Sequence, residues 1–274
     1  MAAKGGRSPD SKRSPSTTPS RGDVIAEAPM CGADVVNEAV GAAAASFPAW
    51  RDTPAIERGY FFVTSNRWKK ISIGSANWSR ANTARHSPKR AASPGAASKM
   101  SNTLAGFRRC SWADTLENLA HGVDCETVLQ PLGVCAGITP FNFPAMVPIW
   151  MFPLALACGN TFVLKPSEKV PLTAVFLIEL LEKAGLPKGV LNLVHGGREC
   201  VDALLAHPQV RAISFVGSSP VAKYIFETGT RHSKRVQANG GAKNSIVVMP
   251  DAGRTVEALS TAAFACAGER RMAG

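Results

Sequence analysis

The sequence predicts an α/β fold, a doubly wound domain on a parallel sheet, and three observations carry that reading. From residue 113 onward, short apolar runs alternate with helix-length segments. Two such runs, residues 132–139 and 161–164, are joined by the almost wholly apolar segment 147–158. Buried strands joined by one helix make a βαβ unit, and that connection implies parallel pairing. The runs end in polar residues, Asn142 and Lys165, where the crevice of an open α/β sheet takes its ligands.

Residues 1–17 are rich in Ser, Pro, Lys and Arg and are expected to be disordered. Residues 18–60 read as a structured N-terminal segment. Within it, residues 23–28 fit a short strand, and residues 34–49 show helical spacing of Val35, Val36, Ala39, Val40 and Ala43. Asp34 is placed as an N-cap and Pro48 near the helix end.

Residues 61–112 differ. They are rich in Ser, Asn, Arg and Ala, with Trp68 and Trp78 and no sustained period of 2 or 3.6. Residues 61–110 hold ten Lys or Arg and no Asp or Glu. The remaining chain has 21 basic and 20 acidic residues, so the net charge of +11 is almost entirely local. A basic arm with interleaved aromatics would suit nucleic acid, but charge runs are usually solvated. Nucleic acid is therefore not the expected partner.

The globular segment 113–250 continues past the first βαβ unit. Pro171 starts a helix running to about Lys183, with Gly185 just past its end. A strand at 190–194 ends at His195-Gly196-Gly197, a short helix follows at 200–206, and a strand at 212–216 runs into Gly217-Ser218-Ser219-Pro220. Next come a helix at 221–228, strands at 235–238 and 245–249 around Asn239-Gly240-Gly241, and a helix at 255–266 within the final segment, 251–274.

No apolar run reaches the roughly 18 residues of a membrane span. An apolar signal-peptide core is absent from the N-terminus. The seven cysteines (31, 110, 125, 135, 158, 200 and 266) form no C-x-x-C pair and no metal-ligand spacing, so no metal site is expected. A reducing, cytoplasmic compartment is the default, with a mitochondrial address left open for a eukaryotic source.

Several positions carry chemistry. Ser218 precedes a helix whose free N–H groups suit a pyrophosphate, although an ordinary strand-to-helix turn explains it as well. Lys165 with Glu168 could hold ribose hydroxyls or form a plain surface ion pair. Asn142, between prolines and phenylalanines, is a rigid neutral donor of the kind an oxyanion hole requires, or a turn-stabilising residue. His195 and His207 lack partners at catalytic spacing and read as structural or surface residues.

Together, Thr139-Pro140-Phe141-Asn142-Phe143-Pro144, Leu164-Lys165-Pro166-Ser167-Glu168 and Phe215-Val216-Gly217-Ser218 make the chain resemble the aldehyde dehydrogenase superfamily. Pro131-Leu132-Gly133-Val134, Met151-Phe152-Pro153 and residues 236–244 sharpen the likeness toward the CoA-acylating methylmalonate-semialdehyde (malonate-semialdehyde) dehydrogenases. The resemblance covers about residues 113–274 and, more weakly, 18–57. It implies a Rossmann-like NAD-binding domain of the aldehyde dehydrogenase fold with the catalytic domain largely missing. It further implies a homo-oligomeric parent that oxidises a semialdehyde to an acyl-CoA with NAD, CoA being the co-substrate.

By the same resemblance, Asn142 would donate its amide to the oxyanion, and Thr139 and Phe141 would border the nicotinamide. Lys165 and Glu168 would hold the adenosine ribose with Lys169 nearby, Ser218 would meet the pyrophosphate, and Gly240 would let backbone approach the nicotinamide. Asn239 stands where most aldehyde dehydrogenases have the glutamate that activates water. An amide cannot act as that base, which suits transfer to the CoA thiol.

Two departures accompany the likeness. The family's nucleophilic cysteine is replaced in the run Gly268-Glu269-Arg270-Arg271 by Arg271, with Cys266 five residues upstream. Residues 61–110 have family-like sequence on both sides but not within, as an out-of-frame reading of a GC-rich gene would produce. The expectation is a catalytically inactive fragment, and the alternative is a non-catalytic NAD-binding remnant or a module that pairs with an intact subunit.

Overall fold

The structure, a computed structural model, describes residues 13–17, 22–58, 114–241, 247–249, 253 and 255–264. Its centre is a five-stranded parallel sheet in the order β7-β6-β5-β8-β9. The strands are β5 (Val134–Ile138), β6 (Thr161–Lys165), β7 (Leu191–Leu193), β8 (Val210–Gly217) and β9 (Arg235–Gly240). Helices α2 (Met146–Ala157), α3 (Pro171–Lys183), α4 (Arg198–Ala206) and α5 (Ser219–Arg231) connect them in turn. The chain builds outward from β5 through β6 to β7, then returns past β5 to lay down β8 and β9. That reversal places the switch point, and its ligand crevice, between β5 and β8.

Strand alternation divides the core. Val134, Ala136 and Ile138 of β5 join Val163, Ile213 and Phe215 beneath Val36, Val40 and Ala43 of α1 (Ala33–Asp52), Leu204 and Leu205 of α4, and Ile225 of α5. Cys135, Phe162, Leu164 and Val216 face the other way, toward α2 and toward Leu177, Ile178 and Leu181 of α3. Helix α2 is buried nearly all round, with Val147, Phe152 and Leu156 fully enclosed. Each such side chain contributes about 1.5–3 kcal/mol. This explains why the run 147–158 has no polar face although it crosses no membrane; among the described residues no helix is long and apolar enough to do so.

The structure corrects several expectations. Residues 13–17, expected to be disordered, form β1 (Arg13–Thr17) paired antiparallel with β2 (Val24–Pro29). Ser16 is buried and its hydroxyl donates to the Lys169 carbonyl at 2.8 Å, a tertiary contact that composition does not reveal. Gly32, not Asp34, occupies the N-cap of α1, and Pro48 lies inside that helix. Residues 114–127 form an exposed hairpin, β3 (Asp114–Ala120) with β4 (Val123–Thr127). The described part of the expected 245–249 strand, residues 247–249, is not extended into the sheet. Helix α6 (Thr255–Phe264) lies where a helix was expected. Residues 61–110, Cys266 and Arg271 lie outside the described residues.

One buried cation secures two helix ends. Arg58 is 8% exposed. Its guanidinium donates to the Ala157 carbonyl that ends α2 (3.1 Å) and to the Arg51 carbonyl in the last turn of α1 (2.8 Å). Trp50 and Thr53 carbonyls accept further bonds from it. These carbonyls are orphans of helix termination, and a planar multi-donor cation suits them.

Candidate functional site

The carboxyl ends of four parallel strands form one edge of the sheet. The register pairs Ile138 with both Lys165 and Phe215, and Leu164 with Leu193. Thr139, Lys165, the Val194-His195 segment and Gly217-Ser218 therefore stand side by side along that edge. The sequence ties them together further, because the Thr139 N–H donates to the Lys165 carbonyl at 3.1 Å and the Val194 N–H to the Leu164 carbonyl at 3.0 Å.

Lys165 is only 6% exposed. Its Nζ lies 3.3 Å from Oε2 of Glu168, which remains half-buried, so a buried cation meets one partly exposed carboxylate just past the end of β6. The loop after β6 is held from several sides. Ser167 Oγ accepts from the Lys169 N–H at 3.3 Å, and β1 binds the Lys169 carbonyl through Ser16. Lys169 Nζ lies 4.9 Å from the centre of the Phe141 ring, which couples this loop to the turn after β5. Phe141 is exposed, Asn142 half-buried and Phe143 buried, so the turn is anchored by one phenylalanine and presents the other.

Thr139 Oγ1 and His195 Nδ1, both buried in this region, make no hydrogen bond among the described residues. Leaving such an atom unmatched costs about 1–3 kcal/mol. His195 is 9% exposed, and its carbonyl accepts from the Cys31 N–H at 3.1 Å. Burial, reinforced by the nearby Lys165 charge, pushes its pKa down to about 4, so the imidazole is neutral at neutral pH. Burial pushes the Cys200 thiol up to about 12, although Lys165 opposes the shift.

The second part of the edge lies at β8 and β9. Ser218, exposed and extended at φ −74° and ψ 151°, is the N-cap of α5, with its carbonyl accepting from the Ala222 N–H at 2.9 Å. Ser219 and Pro220 begin the helix, so its first turn presents the orphan N–H groups that favour an anion. Gly240 pairs with Gly217. A Cβ on Gly240 would lie 2.4 Å from Ala222 Cβ and 3.0 Å from Ser219 Cα, so this glycine lets β9 pass beneath the start of α5. The close approach recorded there is to that helix.

Thr139, Phe141, Lys165, Glu168 and Lys169 are thus joined by direct contacts along the β5–β6 side. Asn142 occupies the same turn as Phe141, while Ser218 and Gly240 form a separate pair across the switch point. His195, which the sequence reads as structural or surface, is buried directly beyond β7, at the same edge as Lys165. No group of His, Cys, Asp or Glu suited to a metal occurs among the described residues.

Comparison with known proteins agrees with this architecture. The model of the Aldehyde dehydrogenase family matches residues 7–274. A malonate-semialdehyde dehydrogenase of Pseudomonas aeruginosa is 45% identical over 282 residues, covering 100% of this chain and 54% of that protein. Malonate-semialdehyde dehydrogenase 2 of Shouchella clausii is 46% identical over 93% of this chain and 53% of its own length. Among solved structures, methylmalonate-semialdehyde dehydrogenase from Oceanimonas doudoroffii superposes with a TM-score of 0.86 at 39% identity, over 96% of this chain and 55% of that one. A putative methylmalonate-semialdehyde dehydrogenase from Sinorhizobium meliloti, complexed with NAD, gives 0.82 at 35% identity, over 92% and 52%. The chain spans about half the length of the curated relatives it matches.

Proposed function

The chain belongs to the aldehyde dehydrogenase family, and on that premise we propose that it is the NAD-binding half of a CoA-acylating methylmalonate- or malonate-semialdehyde dehydrogenase. The observation that carries this reading is the Lys165–Glu168 pair at the end of β6, a desolvated cation with an adjacent carboxylate beside the switch point. Lys165 would donate to an adenosine ribose hydroxyl and Glu168 would accept from one. The carboxylate also repels a 2′-phosphate, which favours NAD over its phosphorylated counterpart. Ser218 and the first turn of α5 suit the pyrophosphate, and Thr139 and Phe141 suit the nicotinamide side. When bound, NAD supplies the hydride acceptor.

Asn142 would act on the substrate, presenting its amide to the oxygen that gains charge as a thiol adds to the aldehyde. Asn239 cannot serve as a base for water, and a thiol such as that of CoA would take the acyl group instead. Arginine, however, stands at position 271, where the family motif has its nucleophile. A guanidinium forms no thioester, so the chain is proposed to bind the cofactor without turnover, and partners, substrate choice and assembly follow the parent enzyme only where the rest of it is present.

The test pairs two assays. Calorimetric titration with NAD is expected to show saturable binding. Incubation with malonate semialdehyde, CoA and NAD is expected to yield no reduced nicotinamide above the protein-free rate. Turnover comparable to an intact family member would overturn the non-catalytic reading, and absent NAD binding would overturn the cofactor reading.

A further inference from the structure

We infer that Ser16 is a positioning residue of the proposed cofactor site, through which strand β1 braces the loop that carries Glu168. The inference rests on the proposed NAD-binding reading and extends it to a strand that lies 153 residues away in sequence.

β1 adds nothing to the apolar interior. Its sequence, Arg-Ser-Pro-Ser-Thr, holds no apolar side chain besides proline, and none of its residues joins either apolar core. The ladder to β2 and the exposed Arg13–Glu27 pair hold the strand itself in place. Ser16 is its one buried residue, at 1% exposed, and its hydroxyl donates to the Lys169 carbonyl at 2.8 Å. The register against β2 shifts between Ser16 and Thr17, an irregularity of the kind that re-aims a side chain. A strand that covers no core and turns its one buried hydroxyl onto a loop has that loop as its tertiary partner.

The braced loop is where the charges of the proposed site are set. The Lys169 N–H donates to Ser167 Oγ at 3.3 Å, and the Val170 N–H donates to the Ser167 carbonyl at 3.2 Å. Glu168 lies between these bonded residues, with Oε2 3.3 Å from Lys165 Nζ. Lys169 Nζ in turn lies 4.9 Å from the centre of the Phe141 ring. One anchor at the Lys169 carbonyl thus fixes the backbone beneath both side chains, the carboxylate that meets Lys165 and the ammonium that reaches the turn after β5. Such an anchor acts on binding by preorganisation, because a loop already held loses less freedom when a ligand orders it.

The test uses the whole chain, with NAD affinity from calorimetry and amide hydrogen exchange read by mass spectrometry. Ser16→Ala should weaken NAD binding by about 3- to 10-fold, the worth of one hydrogen bond. Added to Glu168→Gln, the same change should cost much less, because the brace acts through that carboxylate. In the ligand-free chain, Ser16→Ala should speed exchange in peptides spanning residues 166–170 and leave those of β5 and β8 unchanged. Equal NAD affinity in the wild-type and Ser16→Ala chains would overturn the inference, as would a loss that persists undiminished beside Glu168→Gln. Exchange that is unchanged at 166–170, or faster throughout the sheet, would overturn it too, the second outcome making Ser16 a general structural residue. A wild-type chain that binds no NAD overturns the cofactor reading itself, and this inference with it.

Discussion

Protonation of His195 should be visible in the stability of the fold. The unfolded imidazole titrates near 6.5 and the folded one at about 4, because burial and then Lys165 disfavour the charged ring. Between those values the unfolded chain binds a proton that the folded chain does not. Stability therefore rises with pH across this window, is fully present above about 6.5, and is lost as pH falls toward 4. At about 1.4 kcal/mol per pH unit, the whole window amounts to about 3 kcal/mol, a large share of the 5–15 kcal/mol typical of a folded domain. The thiols facing this region, Cys31 and Cys200, are both raised and stay neutral throughout, so they add no opposing slope. The assay is urea unfolding of the wild-type chain and of His195→Asn at neutral pH and at about pH 4.5. Subtracting the two profiles removes the carboxylates they share. The wild-type chain should lose about 2–3 kcal/mol more than the variant over that interval. Parallel profiles would show that His195 titrates normally and is not enclosed beside Lys165.

Two further outcomes test the scaffold. Arg58→Ala should destabilise by about 3 kcal/mol, since it orphans carbonyls at the ends of α1 and α2, and Arg58→Lys should recover less than half of that. A loss under about 1 kcal/mol in urea unfolding would contradict the double-cap role. In thiol labelling of the native chain, the exposed Cys125 and Cys158 should react readily, while Cys135 and Cys200, buried with thiols near 12, should react only after unfolding. Equal labelling of all four, read by peptide mass spectrometry, would refute the core assignment.

Much of the sheet was legible because each parallel strand is a short apolar run closed by a turn residue. Val134–Ile138, Thr161–Lys165 and Val210–Gly217 each lie within two residues of the reading. Lys165 and Glu168 were legible too, as polar residues at a strand end. Two of the misses share a cause, dependence on contacts distant in sequence. β1 exists because it pairs with β2 and because Ser16 reaches Lys169, and nothing within residues 13–17 signals either contact. Likewise Arg58 meets Ala157 only in the fold, 99 residues away in sequence. His195 looked isolated because its neighbour Lys165 sits on another strand. The 114–127 hairpin escaped because its two strands are exposed throughout and carry no buried face to set a period.

The most direct test of the account is titration of the purified chain with NAD, run beside Lys165→Met. The account predicts saturable binding with one cofactor per chain. It also predicts a loss of at least about 10-fold in the variant, the value of a charge-assisted hydrogen bond, with urea unfolding of both chains checking that the variant is folded. A folded wild-type chain that binds no NAD, or a Lys165→Met chain that binds it equally well, would contradict the claim that this strand edge is a dinucleotide site.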